Sequence, residues 1–233
     1  MFKKSVGRIL SKIGENDRVL DVGAWAMPFP RADYVIDILP YETRGRQGNV
    51  YDDKERFTEK TWIIRDVCDR EPFPFPDKFF DFAICSHVLE DIRDPIFVAK
   101  ELRRISKRGY IETPSRLIEQ TRGVQHPNLC GYHHHRWIVE NWPEKLSFTF
   151  KDHLLYESWR YHLHPRMLKR MTESDKVMVF FWENHFEVEE RFEFETAEMC
   201  LEFEAFQRKH RSYSKARYAL LDMKLWLKGV LKK

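Results

Sequence analysis

The 233-residue chain has no apolar run long enough for a helix to cross a bilayer. Its longest such runs, for example Val177–Trp182, fall far short of the roughly 18 residues a span requires, so a transmembrane helix is not expected. Lysines stand in Met1–Gly14 with no continuous apolar stretch behind them, which does not read as a secretory signal. Cysteine is scarce: Cys68, Cys85, Cys130 and Cys200 form no CxxC pair. That usage argues against a disulfide scaffold and suits a reducing cytosol, so a cytoplasmic location is expected. Internal repeats and low-complexity tracts are absent too. With 42% hydrophobic and 33% charged residues, a disordered tail or a fibre is excluded. The net charge is only +3, yet from Arg208 onward nine Lys and Arg stand against Asp222 alone, leaving the body mildly acidic. Basic residues confined to a tail argue against nucleic-acid binding.

What is present is an alternation. Phe2, Val6, Ile9, Leu10 and Ile13 recur at helical spacing and predict an opening helix, with Gly14 as a left-handed stop. Arg18–Gly23, Tyr34–Leu39, Trp62–Val67, Phe80–Cys85 and Gly109–Pro114 are short runs rich in Val, Ile and aromatics. Near-continuous apolar character of this kind is expected of parallel strands covered on both faces. Asp94-Pro95 supplies an N-cap and first-turn proline for a helix between the fourth and fifth strands. Val98, Leu102 and Ile105 form its apolar stripe, and Arg103, Arg104, Lys107 and Arg108 lie toward its C-terminal end. Lys176–Glu183 and Phe186–Phe194 predict two further strands turning at Asn184-His185. The expected fold is α/β: a Rossmann-like, doubly wound, mostly parallel seven-stranded sheet closed by a C-terminal antiparallel hairpin. One domain spanning 1–233 is expected, with 115–175 inserted as a cap of little strand character and 205–233 as a basic C-terminal helix.

Three carboxylates fall at or near the ends of successive predicted strands: Asp21, Asp37 and Asp66. Asp21 precedes Val22-Gly23-Ala24, a small-residue turn that lets a ligand approach the backbone. Asp37 stands where a carboxylate can accept both hydroxyls of a ribose, and Asp66 where it can accept from an exocyclic adenine amine. A nicotinamide site would need GxGxxG followed by a helix. Here Gly23 is alone, and its successors are Ala24-Trp25-Ala26-Met27-Pro28-Phe29-Pro30. An adenosine ligand without a diphosphate fits this turn better.

These residues give the chain a resemblance. From Arg18 to Ser115 it resembles a class I S-adenosylmethionine-dependent methyltransferase, of the broad group acting on small molecules and sugars. VLDVGAWAMP is similar to the family's first motif, VIDI to the acidic end of its second strand, and RDVCDREPFPFPDKFFDFAICSHVLEDIRDP to its third and fourth motifs. ELRRISKRGYIETP is similar to its fifth-strand region. The resemblance implies S-adenosyl-L-methionine as cofactor. It places Asp21 and Gly23 on the methionine side, Asp37 at the ribose, Asp66 and Val67 at the adenine, and Ser86 and His87 at the sulfonium or acceptor, with Ala24, Trp25 and Ile38 also in the cofactor site. Two departures stand out: Trp25 where the family usually has a second glycine, and Gly109-Tyr110 where it has a glycine pair.

Seven of the ten histidines crowd between positions 126 and 164. If the acceptor is a hydroxyl, a base must take its proton, and histidine is the usual choice near neutral pH. The candidates are His87 and, in QHPNLCGYHHHRW, His126, His133, His134 and His135. These residues point to O-methylation of a saccharide or other small metabolite. N-methylation of an amino sugar and a catalytically silent nucleoside-binding module, favoured by Trp25 and Tyr110, are the rivals. No metal is expected, since Cys130 and these histidines match no established zinc spacing. The tail fits a packed or homodimer-forming helix, or attachment to an anionic membrane surface.

Overall fold

The computed structural model describes residues 1–45, 54–192, 196–211, 214, 216–217, 219–220 and 223–224. They gather into two compact units. The first is Met1–Arg116 with His134–Lys151 and Glu173–Phe192; the second is Leu117–His133 with Asp152–Thr172 and Glu193–Lys233.

In the first unit, α1 (Lys3–Leu10) buries Ser5 and Ile9. Gly14 does not form the expected left-handed stop. The helix ends at Ser11, whose hydroxyl donates back to the Arg8 carbonyl at 2.8 Å, while the Gly14 N–H donates to Asp17. Next come strands β1 (Val19–Val22), β2 (Tyr34–Asp37), β3 (Trp62–Ile64) and β4 (Phe80–Ser86), then α2 (Pro95–Ile105) and β5 (Ser106–Pro114). Asp94 caps α2 by accepting from the Phe97 N–H at 3.0 Å, as its sequence predicts. β5 begins directly after α2, so Lys107 and Arg108 sit on the strand and pair with Asp81 and Asp17.

The main sheet has the order β3-β2-β1-β4-β5, all parallel, and ends in β8 (Val177–Glu183) antiparallel to β5. Successive residues alternate between two cores. Leu20, Val22, Ala83, Cys85 and Ile111 face α2's Val98, Leu102 and Ile105, while Val19, Val35, Phe82, Ile84 and Tyr110 pack with α1's Ile9. That two-sided burial is why these strands read as continuous apolar runs. The order reverses between β1 and β4, and ligands of open α/β sheets bind beyond the carboxyl ends of the strands at such a switch point.

The predicted closing hairpin is not formed, and the described main sheet has six strands rather than seven. The partner expected for β8, β9 (Glu187–Arg191), pairs in parallel with β7 (Lys145–Phe150), which is antiparallel to β6 (Trp137–Trp142). These three make a second sheet, so 137–150 has strand character that its sequence did not suggest. The physical cause lies in the turn. Asn184 adopts φ +60, its N–H donates to the Lys107 carbonyl, and its own carbonyl accepts from Lys78 Nζ at 2.8 Å. Phe186 then buries completely against Phe180 and Trp182, with ring centroids 5.3 and 5.2 Å away. Arg103 holds its carbonyl at 2.7 Å. The chain is thereby led away from β8 toward the open edge of β7.

The second unit takes the rest of the expected cap, 117–133 and 152–172. Its short elements include α3 (Arg116–Glu119), whose first residue belongs to the other unit, and α4 (Leu154–Glu157). Helix α5 (Thr196–His210) buries Met199, Phe203 and Gln207 on one face. His162 and His164 are buried here as structural groups: His162 Nε2 meets the Leu155 carbonyl at 2.5 Å, and His164 Nδ1 accepts from the Arg166 N–H. Of the expected helix over 205–233, residues 205–210 are the end of α5. Most of the rest, and with it the dimer and membrane readings, lies outside the described residues. No helix among the described residues is long and apolar enough to cross a membrane.

Candidate active site

The chain leaves β1 through a turn built on Gly23. Its φ is +70, and a Cβ there would stand 2.2 Å from Val88 Cγ2, so only glycine lets the loops after β1 and β4 meet. Two carboxylates anchor the loop beyond this turn. Asp21, buried, accepts from the Phe29 N–H at 2.9 Å. Asp37 accepts from the Trp25 N–H through one oxygen and from the Leu39 N–H through the other, each at 2.9 Å. Burial lifts the Asp21 carboxyl to about 7. The same cause raises Asp37, against the pull of its two amides. Trp25 is turned aside: its indole N–H donates to the Thr43 hydroxyl at 2.9 Å, and its ring packs on the α1-side core.

Across the switch point, Ser86 on β4 pairs in register with Glu112 on β5. Glu112 was not among the residues singled out from the sequence, yet it is the hub of the site. Fully buried, it accepts from the Phe2 N–H at 2.9 Å, from Ser86 Oγ at 3.1 Å and from the Tyr110 hydroxyl. His87, the next residue after Ser86, lies in the left-handed region at φ +57. Its N–H donates to the Glu112 carbonyl, its Nε2 lies 3.0 Å from Glu112 Oε1 and its Nδ1 3.2 Å from Glu90 Oε1. Burial disfavours the imidazolium, but hydrogen bonds to Glu112 and Glu90 outweigh it and lift His87 to about 9. For Glu112 burial works upward; His87, Tyr110 and the Phe2 amide prevail and hold it down at about 2. The only hint of Glu112 in the sequence is an acidic residue inside a mostly apolar strand run.

A cavity of about 260 Å³ is lined by Met1, Asp21, Gly23, Ala24, Ala26, Met27, Ser86 and His87. Five of the residues singled out from the sequence thus meet in one place. Asp37 ends β2 and Ile38 follows it, farther along the same edge, and Ile38 is 62% exposed. Asp66 lies two residues past β3; its oxygens accept from the Cys68 N–H and from Arg93, at 2.9 and 2.8 Å. The Cys68 amide and the Arg93 guanidinium hold its carboxyl below the usual range. Val67 is buried in the α2-side core. His134 and His135 belong to the first unit, beside Asp91. His126 and His133 belong to the second unit, where both are exposed.

Residues 35–111, from β2 into β5, match the family model described as a methyltransferase domain. Over those residues the chain is similar to a methyltransferase domain. Domains of the class I type take their methyl group from S-adenosylmethionine, and the Rossmann-like α/β sheet is the fold they share. The methyltransferase match covers less than half of the chain. No curated protein is similar in sequence. Among solved structures, the chain is 16% identical to an S-adenosylmethionine-dependent methyltransferase of Mesorhizobium loti, with 64% of each chain covered and a TM-score of 0.36. It is 20% identical to one from Aquifex aeolicus, covering 54% of this chain and 69% of that one, with a TM-score of 0.35. A Haloferax volcanii complex of the Trm112 methyltransferase activator with a proposed methyltransferase is 21% identical, with a TM-score of 0.36. There the match covers 48% of this chain and spans half of the length of the other.

Proposed function

We propose that the chain transfers a methyl group from S-adenosylmethionine to a hydroxyl of a saccharide or other small metabolite. The observation that carries this reading is the cavity at the β1–β4 switch point, with Asp21, Asp37 and Asp66 ranged along the same strand ends. When bound, the cofactor supplies a methyl group already activated on a positively charged sulfur. The residues fit it. Position 23 has no room for a side chain, and Asp21 offers a buried carboxylate to a cation. Asp37 keeps a second acceptor position on each oxygen beyond its amide bond and would hold the ribose, beside the exposed Ile38. Asp66 and Val67 would border the adenine, and Gly23, Ala24, Trp25 and Ser86 the methionine portion.

His87 is the first candidate to receive the acceptor's proton. Carrying its own proton at neutral pH, it becomes a base as the pH nears 9; His126, His133 and His134 are the other candidates. Trp25 and Tyr110, the features that favour a silent module, are bonded to Thr43 and Glu112. Titration with S-adenosylhomocysteine, then label transfer from the labelled cofactor into a saccharide and metabolite extract, tests the reading. Saturable binding lost in Asp37→Ala, together with labelled product, is expected; absence of binding by the wild type overturns it.

An amine acceptor is the second reading, favoured by the charged state of His87, because an amine needs less base assistance. Transfer unaffected by His87→Gln at neutral pH would favour the amine.

A further inference from the structure

Asp91, His134 and His135 offer one carboxylate oxygen and two imidazole nitrogens, all within 4.8 Å of one another. The methyl-transfer reading draws on this cluster only through His134, one of its candidate bases, and leaves Asp91 and His135 unused. His134 Nε2 lies 3.9 Å from Asp91 Oδ1, and His135 Nε2 lies 3.8 Å from the same oxygen. The two rings stand edge to face at an interplanar angle of 76°, with centroids 4.5 Å apart. This lets adjacent residues point both Nε2 atoms at one carboxylate.

The main chain holds the cluster in place. Arg136 and Trp137 donate their N–H groups to the Glu90 carbonyl at 2.7 and 3.1 Å. Trp137 Nε1 donates to the Ile92 carbonyl at 3.0 Å. The segment carrying the imidazoles is therefore pinned on both sides of Asp91, whose own N–H bonds to the Val88 carbonyl. His135 is 7% exposed, whereas His134 and Asp91 are 48% and 41% exposed. One imidazole thus forms a fixed floor, and the other two donors remain open to solvent.

We propose that Asp91, His134 and His135 bind a divalent first-row transition ion of the zinc type, leaving coordination positions open for a substrate oxygen. Two imidazoles and one carboxylate are a donor set suited to such ions and a poor one for magnesium. Ligand bonds of about 2.1 Å in a tetrahedral shell place neighbouring donors about 3.4 Å apart. The present separations, up to 4.8 Å, would have to close by up to about 1.4 Å on binding. Asp91 lies four residues past His87 in the segment that follows β4, and Ser86 at the end of β4 and His87 both line the cavity. The ion would thus hold an acceptor hydroxyl on the segment that borders the cofactor. This last step rests on the methyl-transfer reading; the metal site itself does not.

Calorimetric titration of the full chain with zinc chloride tests the site, with magnesium chloride as a second titrant. Binding of one zinc per chain, at least tenfold weaker in His134→Ala and in Asp91→Asn and unchanged in His153→Ala, is expected. His153 is an exposed histidine outside the cluster, so equal weakening there would mark ordinary surface binding and overturn the proposal. Absence of stoichiometric zinc binding, or magnesium bound as tightly as zinc, would overturn it as well. His134 and Asp91 are exposed enough for their variants to fold, and matched thermal melts check this. Titration with S-adenosylhomocysteine in the same variants keeps the two ideas apart. Loss of zinc with retained nucleoside binding supports the metal site, whereas retained zinc without nucleoside binding removes only the methyl-transfer reading.

Discussion

Nε2 of His87 and Oε1 of Glu112 face each other at 3.0 Å across the ends of β4 and β5. The contact joins a histidine lifted to about 9 to a carboxyl held at about 2. Between those limits the two groups form an ion pair inside a half-enclosed site.

That pair gives stability a pH window. A histidine whose folded pKa exceeds its unfolded value near 6.5 stabilises fully below that value, and the contribution is lost as pH rises through about 9. A carboxyl depressed to about 2 stabilises above its unfolded value near 4.3, and this is lost as pH falls through about 2. Thermal melts of the wild type should therefore drop between pH 7 and 10 more than those of His87→Gln. Parallel curves for the two proteins would contradict the pairing.

Asp21 titrates well above the range of an ordinary carboxylate. Raised to about 7 by burial, it becomes largely ionised as pH rises through neutrality, and a cationic ligand then gains most from it. The preference for S-adenosylmethionine over its uncharged-sulfur product should thus grow from pH 6 to pH 8, and Asp21→Asn should flatten it. Calorimetry with both ligands at three pH values reads this directly.

Replacing Asp37 with asparagine leaves one oxygen where two amides now bond. An unsatisfied buried N–H costs about 1–3 kcal/mol, so denaturant melts should show a loss of that size. S-adenosylhomocysteine binding should weaken at least tenfold in the same variant.

Glycine is required at two positions for different reasons. At Gly23 a side chain would meet Val88 and a left-handed backbone. At Gly109 a Cβ would lie 2.1 Å from Trp182 Cη2 and 2.4 Å from the Ala83 carbonyl. Gly109→Ala should destabilise the sheet by at least about 1–3 kcal/mol while leaving the ligand stoichiometry of the folded fraction intact. Gly23→Ala should impair nucleoside binding as well.

The parallel strands, the capped helix and the three aspartates were legible because each has a local cause: two-sided burial, an Asp-Pro start, a turn with small residues. The placement of β9 was not, because it depends on where Phe186 buries and on an edge offered by β7, some 40 residues earlier. Glu112 and Glu90 were missed for a related reason. Their importance comes from partners on other segments, Phe2, Ser86, Tyr110 and His87, and no spacing rule connects them. The histidine-rich stretch offered candidate bases, whereas His162 and His164 are buried supports and His134 and His135 gather around Asp91.

The parallel union of β7 with β9 also orders events during synthesis. A nascent chain that has emerged only as far as Asn184 already contains every strand of the six-stranded sheet. Until residues 187–191 emerge, however, the backbone of β7 from Lys145 to Thr149 has nothing alongside it on that flank. Vulnerability to edge-to-edge association therefore peaks late, and the final strand seals it.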